Sequence, residues 1–246
     1  MTNNICLVCQ KRPKRDKYQF CSEHCTDIAA KRAPQLLQVP KDHVMYRDVA
    51  TSFGNNWDWM AGPPPSIARI YLITWSPSLR KSFDDYRQNI ACTVNGKKGP
   101  EEVKRFRCEA RMCRLGDPGE SSDLCRTPEC HLCRAIETGF KTTLDNKRKS
   151  FICGVRFGRG IYMAPSSSKA FQYADNGNSR SEYKAVLATR VVLGNPQKLV
   201  FEDWFRFQPD MGYDSVEAHP LFGGPTEVVV FNHNAARPAY LIIAKD

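Results

Sequence analysis

The sequence predicts an α+β protein in which a small cysteine-rich segment precedes a larger, strand-rich domain. Three observations carry that expectation. Runs of apolar and β-branched residues crowd the second half, at Tyr183–Leu193, Glu227–Asn232 and Ala239–Ile243, whereas helical spacing of apolar residues dominates the first. The cysteines fall into two groups with metal-ligand spacing. A proline run, Gly62-Pro63-Pro64-Pro65, separates residues 1–62 from residues 66–246 and reads as a hinge.

The opening segment carries Cys6-Leu-Val-Cys9 and Cys21-Ser-Glu-His24-Cys25. Zinc takes four thiolate or imidazole ligands in a tetrahedron, and two paired knuckles supply them. Cys6, Cys9, Cys21 and Cys25 are the expected ligands, with His24 an alternative to Cys25. The intervening basic turn KRPKRDKY is poor in aromatics, which argues against base stacking. A helix is expected from Ser22 through Leu37 and a second from about Asp42, with Val44, Met45, Val49 and Phe53 on one face, stopped at Gly54-Asn55-Asn56.

Ile67–Thr74 reads as a buried strand. A helix follows Pro77 and turns Leu79, Phe83, Tyr86 and Ile90 inward. Residues Asn95–Pro100 form a loop, and a strand resumes at Val103–Cys108. The second cysteine group, Cys113, Cys125, Cys130 and Cys133, lies in a knuckle spanning 108–133. It is read as a second zinc site, with Cys108 or His131 as alternative ligands. A helix is expected from Cys130 through Ile136, ended at Gly139. Trp204, Phe205 and Phe207 read as core or cleft wall, Gly212–Val216 as a short strand, and Gly223-Gly224-Pro225 as a loop.

Composition narrows the function classes. The chain has 246 residues, 41% apolar and 25% charged, enough for a core that needs no disulfides. No apolar run approaches the ~18 residues of a membrane span, and MTNNICLVCQ lacks a signal-peptide core. Eleven cysteines with CxxC spacing fit a reducing, intracellular compartment, nucleus or cytoplasm. A net charge of +10 suits polyanions, although solubility alone would explain it.

The richest stretch is GVRFGRGIYMAPSSSKAFQY, Gly154 to Tyr173. Glycines let a ligand approach the backbone, the serines cap a helix, and Tyr173 can offer a flat ring to a planar ligand. FGxGIY, then SSKA, then Y resembles the nicotinamide-binding core of the poly(ADP-ribose) polymerase family. GYDSV, TEVVVFN and RPAYLII resemble the last strands of that family's catalytic domain. The resemblance runs from about Ile67 to the last residue. The paired cysteines look most like a fungal branch of the family.

The resemblance implies two antiparallel sheets packed as a split β-sandwich of ADP-ribosyltransferase type, with NAD in the cleft between them. It implies cleavage of the nicotinamide–ribose bond through an oxocarbenium-like transition state. Glu227 matches the catalytic glutamate, Tyr162 an aromatic triad position, and Tyr173 the stacking ring. Three positions depart from the pattern. Arg107 stands for a ribose-binding histidine, Cys108 for a glycine whose backbone grips the carboxamide, and Ala170 for a serine, with Ser167 and Ser168 nearby. Arg107 either donates to phosphate or ribose oxygens or fills the pocket. The leading reading is a glycosyltransferase that moves single ADP-ribose units from NAD to a protein or nucleic-acid acceptor. An NAD glycohydrolase and a non-catalytic zinc-containing binding module are the alternatives.

Overall fold

The computed structural model describes residues 3–93, 102–142, 156–177, 179–219 and 226–246, with only the backbone described for 91–93. Gly154 and the loops expected at 95–100 and 223–225 lie outside these residues.

Two sheets organise the fold. The first holds β1 (Leu36–Gln38), β2 (Ser66–Ile73), β3 (Glu102–Arg107), β5 (Lys184–Val192) and β9 (Ala236–Lys245), in the order β1-β2-β9-β5-β3, antiparallel throughout. The second holds β4 (Ile161–Met163), β6 (Pro196–Leu199), β7 (Ser215–Ala218) and β8 (Glu227–Val230), in the order β4-β8-β7-β6. Edge strand β3 meets edge strand β4 at one point, where Phe106 and Ala164 exchange two backbone hydrogen bonds of 2.8 Å. This is a mixed α+β fold of two sheets. One pair departs from the all-antiparallel expectation: β6 runs parallel to β7. The long connection over residues 200–214 makes that possible, since a tight hairpin can join only antiparallel strands.

The five-stranded sheet is buried on both faces, as side-chain alternation requires. Tyr71, Ile73, Leu187, Leu241 and Ile243 face one core with α4 (His131–Thr138) and the second sheet. Ile70, Leu72, Val186, Ile242 and Ala244 face the other, with α1 (Glu23–Lys31), α2 (Val44–Asn55) and α5 (Ser167–Gln172). Both sides of the proline run therefore contribute to the second core: Cys6, Phe20, Val49 and Phe53 pack with residues of β2, β5 and β9. Phe83 of α3 (Pro77–Thr93) is buried, with its ring edge-on to Trp75.

Several boundaries differ from the sequence expectation. The first helix is capped by Ser22 but ends at Lys31, not Leu37. Pro34 cannot supply the backbone N–H a continuing helix needs, and Leu36–Gln38 instead pairs with β2. His43 caps α2 through its ring, and its other ring nitrogen lies 3.0 Å from Ile5 O. Strand β6 replaces a simple turn, and β9 is longer than Ala239–Ile243. Phe205 and Phe207 are 83% and 63% exposed, so neither is core, while Trp204 is partly buried.

Two buried arginines tie loops to the sheets. Arg111 bonds Asp117, Asn176 and the carbonyls of Leu115 and Tyr183. Arg237 donates to the carbonyls of Leu79, His233 and Ala236, and burial lowers its pKa to about 10.

Gly160 is required by close approach. A Cβ there would sit 2.4 Å from Val229 Cγ1 and 2.8 Å from Val230 O. Gly160→Ala is expected to cost about 2 kcal/mol or more, because β4 must move off β8 to make room. Urea unfolding of variant and parent at matched protein concentration measures it.

Candidate active site

The glycine-bracketed stretch folds as a turn, strand β4 and helix α5. Tyr162 sits in mid-strand, and its hydroxyl closes the turn behind it. It donates to Gly158 O at 2.7 Å and accepts from the Phe157 N–H at 2.9 Å. Gly158 has φ +96°, and a Cβ there would meet Arg206 O at 2.4 Å, so the turn lies directly against the 203–207 loop.

Strand register brings Glu227 toward Tyr162. Tyr162 pairs with Val229, and Val229 shares its sheet face with Glu227 two residues earlier. The two side chains therefore share a face as diagonal neighbours across the strand pair. The Glu227 charge is one cause of the raised Tyr162 pKa, after burial, which is the larger.

Glu227 is engaged on one oxygen only. Its Oε1 lies 2.6 Å from Lys169 Nζ, and both side chains are largely buried. Its Oε2 is fully withdrawn from solvent and meets no donor among the described residues. Burial lowers the Lys169 pKa, while Glu227 pulls it the other way. Sequence reading overlooked Lys169, although it lies inside the SSKA motif beside Ala170.

Arg107 does not engage Glu227. Its Nε donates to Glu109 at 2.6 Å, its Nη1 donates to Tyr162 O at 2.5 Å, and its guanidinium lies 5.3 Å from the Phe140 ring centre. Glu109 was also unforeseen, and nothing in its local sequence marks it. A cleft opens beside this group, lined by Arg107, Glu109, His131, Arg134, Thr138 and Lys141. Three permanent cations face one carboxylate there, so the cleft favours an anion. Neither Glu227 nor Tyr162 lines it; Arg107 stands between it and them.

The remaining named residues are spread around α5. Tyr173 is the C-cap of that helix and is 53% exposed. Ser168 Oγ accepts the Asp58 N–H at 3.2 Å and lies 2.6 Å from Ser166 Oγ. Ser167 Oγ donates to Phe53 O at 2.6 Å, and Ala170 is buried beside Phe171. The serines thus lock α5 onto the end of α2 and the turn after it. Cys108 directly follows β3, partly buried.

Both cysteine sets converge. The Sγ atoms of Cys6, Cys9, Cys21 and Cys25 lie within 4.8 Å of one another, and so do those of Cys113, Cys125, Cys130 and Cys133. The closest separations are 3.5 to 3.7 Å. A tetrahedron with zinc–sulfur bonds of about 2.3 Å has edges of about 3.8 Å, so both sets fit that ion. Backbone N–H groups of Lys11 and Arg12 help pull the Cys9 thiol down to about 6, which favours the ligating thiolate. His24 and His131 belong to neither set; His131 lines the cleft instead.

Residues 132–221 match the family model of the poly(ADP-ribose) polymerase catalytic domain. The match begins in α4 and takes in β4, α5, β5, β6 and β7, but neither Arg107 on β3 nor Glu227 on β8. No curated protein matches the chain. Among the described residues no helix is long and apolar enough to cross a membrane.

Buried phenols give the site and its surroundings an alkaline limit. Burial raises Tyr162, and it holds Tyr86 and Tyr240 up at about 12. The native state keeps these protons where the unfolded chain, near pH 10, has lost them. Stability is therefore full below about pH 10 and falls as pH rises. In an alkaline titration the exposed phenols should ionise first, at about pH 10, and a later rise in phenolate absorbance should coincide with the loss of far-UV circular dichroism. Ionisation of all nine phenols at about pH 10 without unfolding would contradict the burial.

Proposed function

The chain carries a segment of the poly(ADP-ribose) polymerase catalytic family, and from that premise we propose that it is an NAD-dependent ADP-ribosyltransferase. It transfers single ADP-ribose units to a protein or nucleic-acid acceptor and releases nicotinamide. The observation that carries this reading is the buried, unsatisfied Oε2 of Glu227 on the same sheet face as Tyr162. An interior acceptor without a donor is costly, and a ligand hydroxyl would satisfy it.

The reaction breaks the bond from the nicotinamide nitrogen to the ribose anomeric carbon. The bonding pair leaves with nicotinamide, and positive charge develops on the ribose. Glu227 Oε2, which NAD must first uncover, accepts a hydrogen bond from a ribose hydroxyl, and its negative charge stabilises the oxocarbenium-like centre. Lys169 fixes the carboxylate through Oε1. Tyr173 stacks on the pyridine ring, and the Tyr162 hydroxyl holds the glycine turn in shape. Arg107, Arg134 and Lys141 offer the cleft's positive charge to the pyrophosphate. An acceptor nucleophile then bonds to the anomeric carbon and loses its proton. With water as acceptor the same step hydrolyses NAD.

A second reading has its own support. The Arg107 fork is already committed to Glu109 and Tyr162, and Ala170 presents no hydroxyl. Both features suit a module that holds ADP-ribose without cleaving NAD.

In this proposal both cysteine sets hold zinc. The N-terminal set would stiffen a segment of low apolar content, and the internal set would order the 108–133 knuckle. Neither takes part in the reaction.

Purified protein is expected to release nicotinamide from NAD, and Glu227→Gln to lower the rate at least about 100-fold. Lys169→Met should lower it less, with the carboxylate still present but loosely held. Chromatographic assay of nicotinamide at high NAD decides between the readings: a parent as silent as Glu227→Gln, with NAD or ADP-ribose still bound, makes the binding module the function. Separately, elemental analysis should find about two zinc ions per chain. One or none would remove one or both sites.

A further inference from the structure

We infer that the internal four-cysteine set positions the wall of the anion cleft, so that metal held there controls NAD binding, whereas the N-terminal set does not. The inference rests on the proposed NAD reading for its ligand but not for its structural content.

Helix α4 is the link. Its first turn carries Cys133, and its N-cap is Cys130; both sulfurs belong to the cluster. Its other positions, His131, Arg134, Ala135 and Thr138, line the cleft. Eight residues are too few to hold a helix by propensity alone. Cys130 makes no side-chain cap hydrogen bond; its sulfur instead accepts the Met112 N–H at 3.4 Å and lies 3.7 Å from Cys113 Sγ. The end of the helix is fixed differently. Gly139 has φ +75°, and a Cβ there would come within 2.8 Å of the buried Arg237 guanidinium. One end is thus braced by the protein interior and the other by sulfurs converging on a common centre.

The chain leading into α4 depends on the same centre. Residues 108–130 contain no helix or strand, and Arg111 with its partners anchors only their first part. Cys113 and Cys125 tie the remainder to α4, together with Arg134, which donates to Pro128 O at 3.2 Å, and Leu124, which packs against the core. Four thiolates this close repel one another unless a cation sits among them, so ligation energy becomes ordering energy for the knuckle. A thiolate-bound cluster at the helix start also complements the positive end of the α4 dipole.

The two sets lie on opposite faces of the five-stranded sheet. Cys130 and Cys133 belong to the core shared by α4 and the second sheet, and Cys6 and Cys25 to the core shared by α1, α2 and α5. Losing one metal therefore need not disturb the other.

The test compares Cys125→Ser with Cys9→Ser, each on the full chain. Cys125 lies outside α4, so its replacement removes a ligand and leaves the helix sequence intact. Zinc content, amide hydrogen exchange of residues 131–138 and NAD affinity by calorimetry are measured on each. With one zinc lost, Cys125→Ser should show at least tenfold faster exchange in α4 and at least tenfold weaker NAD binding. Cys9→Ser should change neither, and Cys125→His should restore both. Unchanged α4 exchange in Cys125→Ser overturns the inference, as does faster exchange with NAD affinity intact. Should Cys125→Ser fail to fold, the Cys9→Ser protein is stripped with chelator and reloaded with zinc. Exchange in α4 that rises and recovers supports the inference, and exchange that ignores the metal overturns it. If the parent binds no NAD, the functional reading fails while the exchange result still decides the structural one.

Discussion

The pair of backbone hydrogen bonds between Phe106 and Ala164 is the constraint on which the site depends. It joins the two sheets at a single point, the edge of β3 against the end of β4. Residues to either side of that join are the ones with chemistry to offer. Arg107 is the next residue on β3, and Tyr162 lies two positions before Ala164. The Arg107 guanidinium repeats the join with a side chain, reaching across to the Tyr162 carbonyl. Register then does the rest, carrying Glu227 to the face that Tyr162 occupies.

Much of the fold was legible because its signals are local. Ser22 with the apolar spacing behind it gave α1 and α2, and β-branched runs gave β2, β5, β8 and β9 within a few residues. What was not legible depends on distant partners. Leu36–Gln38 has the apolar content to continue a helix and becomes a strand only because β2 offers it an edge. Pro196–Leu199 has no strand propensity of note and is extended only because β7 lies alongside. The aromatic residues at 205 and 207 read as core or cleft wall, yet they stand exposed on a loop, with the Arg159 guanidinium over the Phe207 ring.

The site divides in the same way. Tyr162, Tyr173 and Glu227 could be named as candidates because the order of the motifs around them resembles a family pattern. The cysteine sets could be paired because spacing alone limits which sulfurs can meet. Lys169 and Glu109 could not be ranked above other charged residues, since their roles arise from contacts 58 and 2 positions away in the chain. The partner of Arg107 was likewise invisible: sequence posed the choice between donating to a ligand and filling the pocket, and the structure commits the guanidinium to Glu109 and the Tyr162 carbonyl.

The loop from 200 to 213 has a colloidal consequence. Phe201, Phe205, Phe207 and Met211 all stand in water there, Met211 completely. Copies of this protein carry a net charge of +10, and at low ionic strength that repulsion keeps such loops apart. Added salt shortens its reach to about 3 Å at 1 M, and a kosmotropic salt such as sulfate also strengthens apolar attraction. Concentrated stocks of this chain should therefore stay clearer in dilute buffer than in brine, the reverse of a protein held in solution by balanced surface charge.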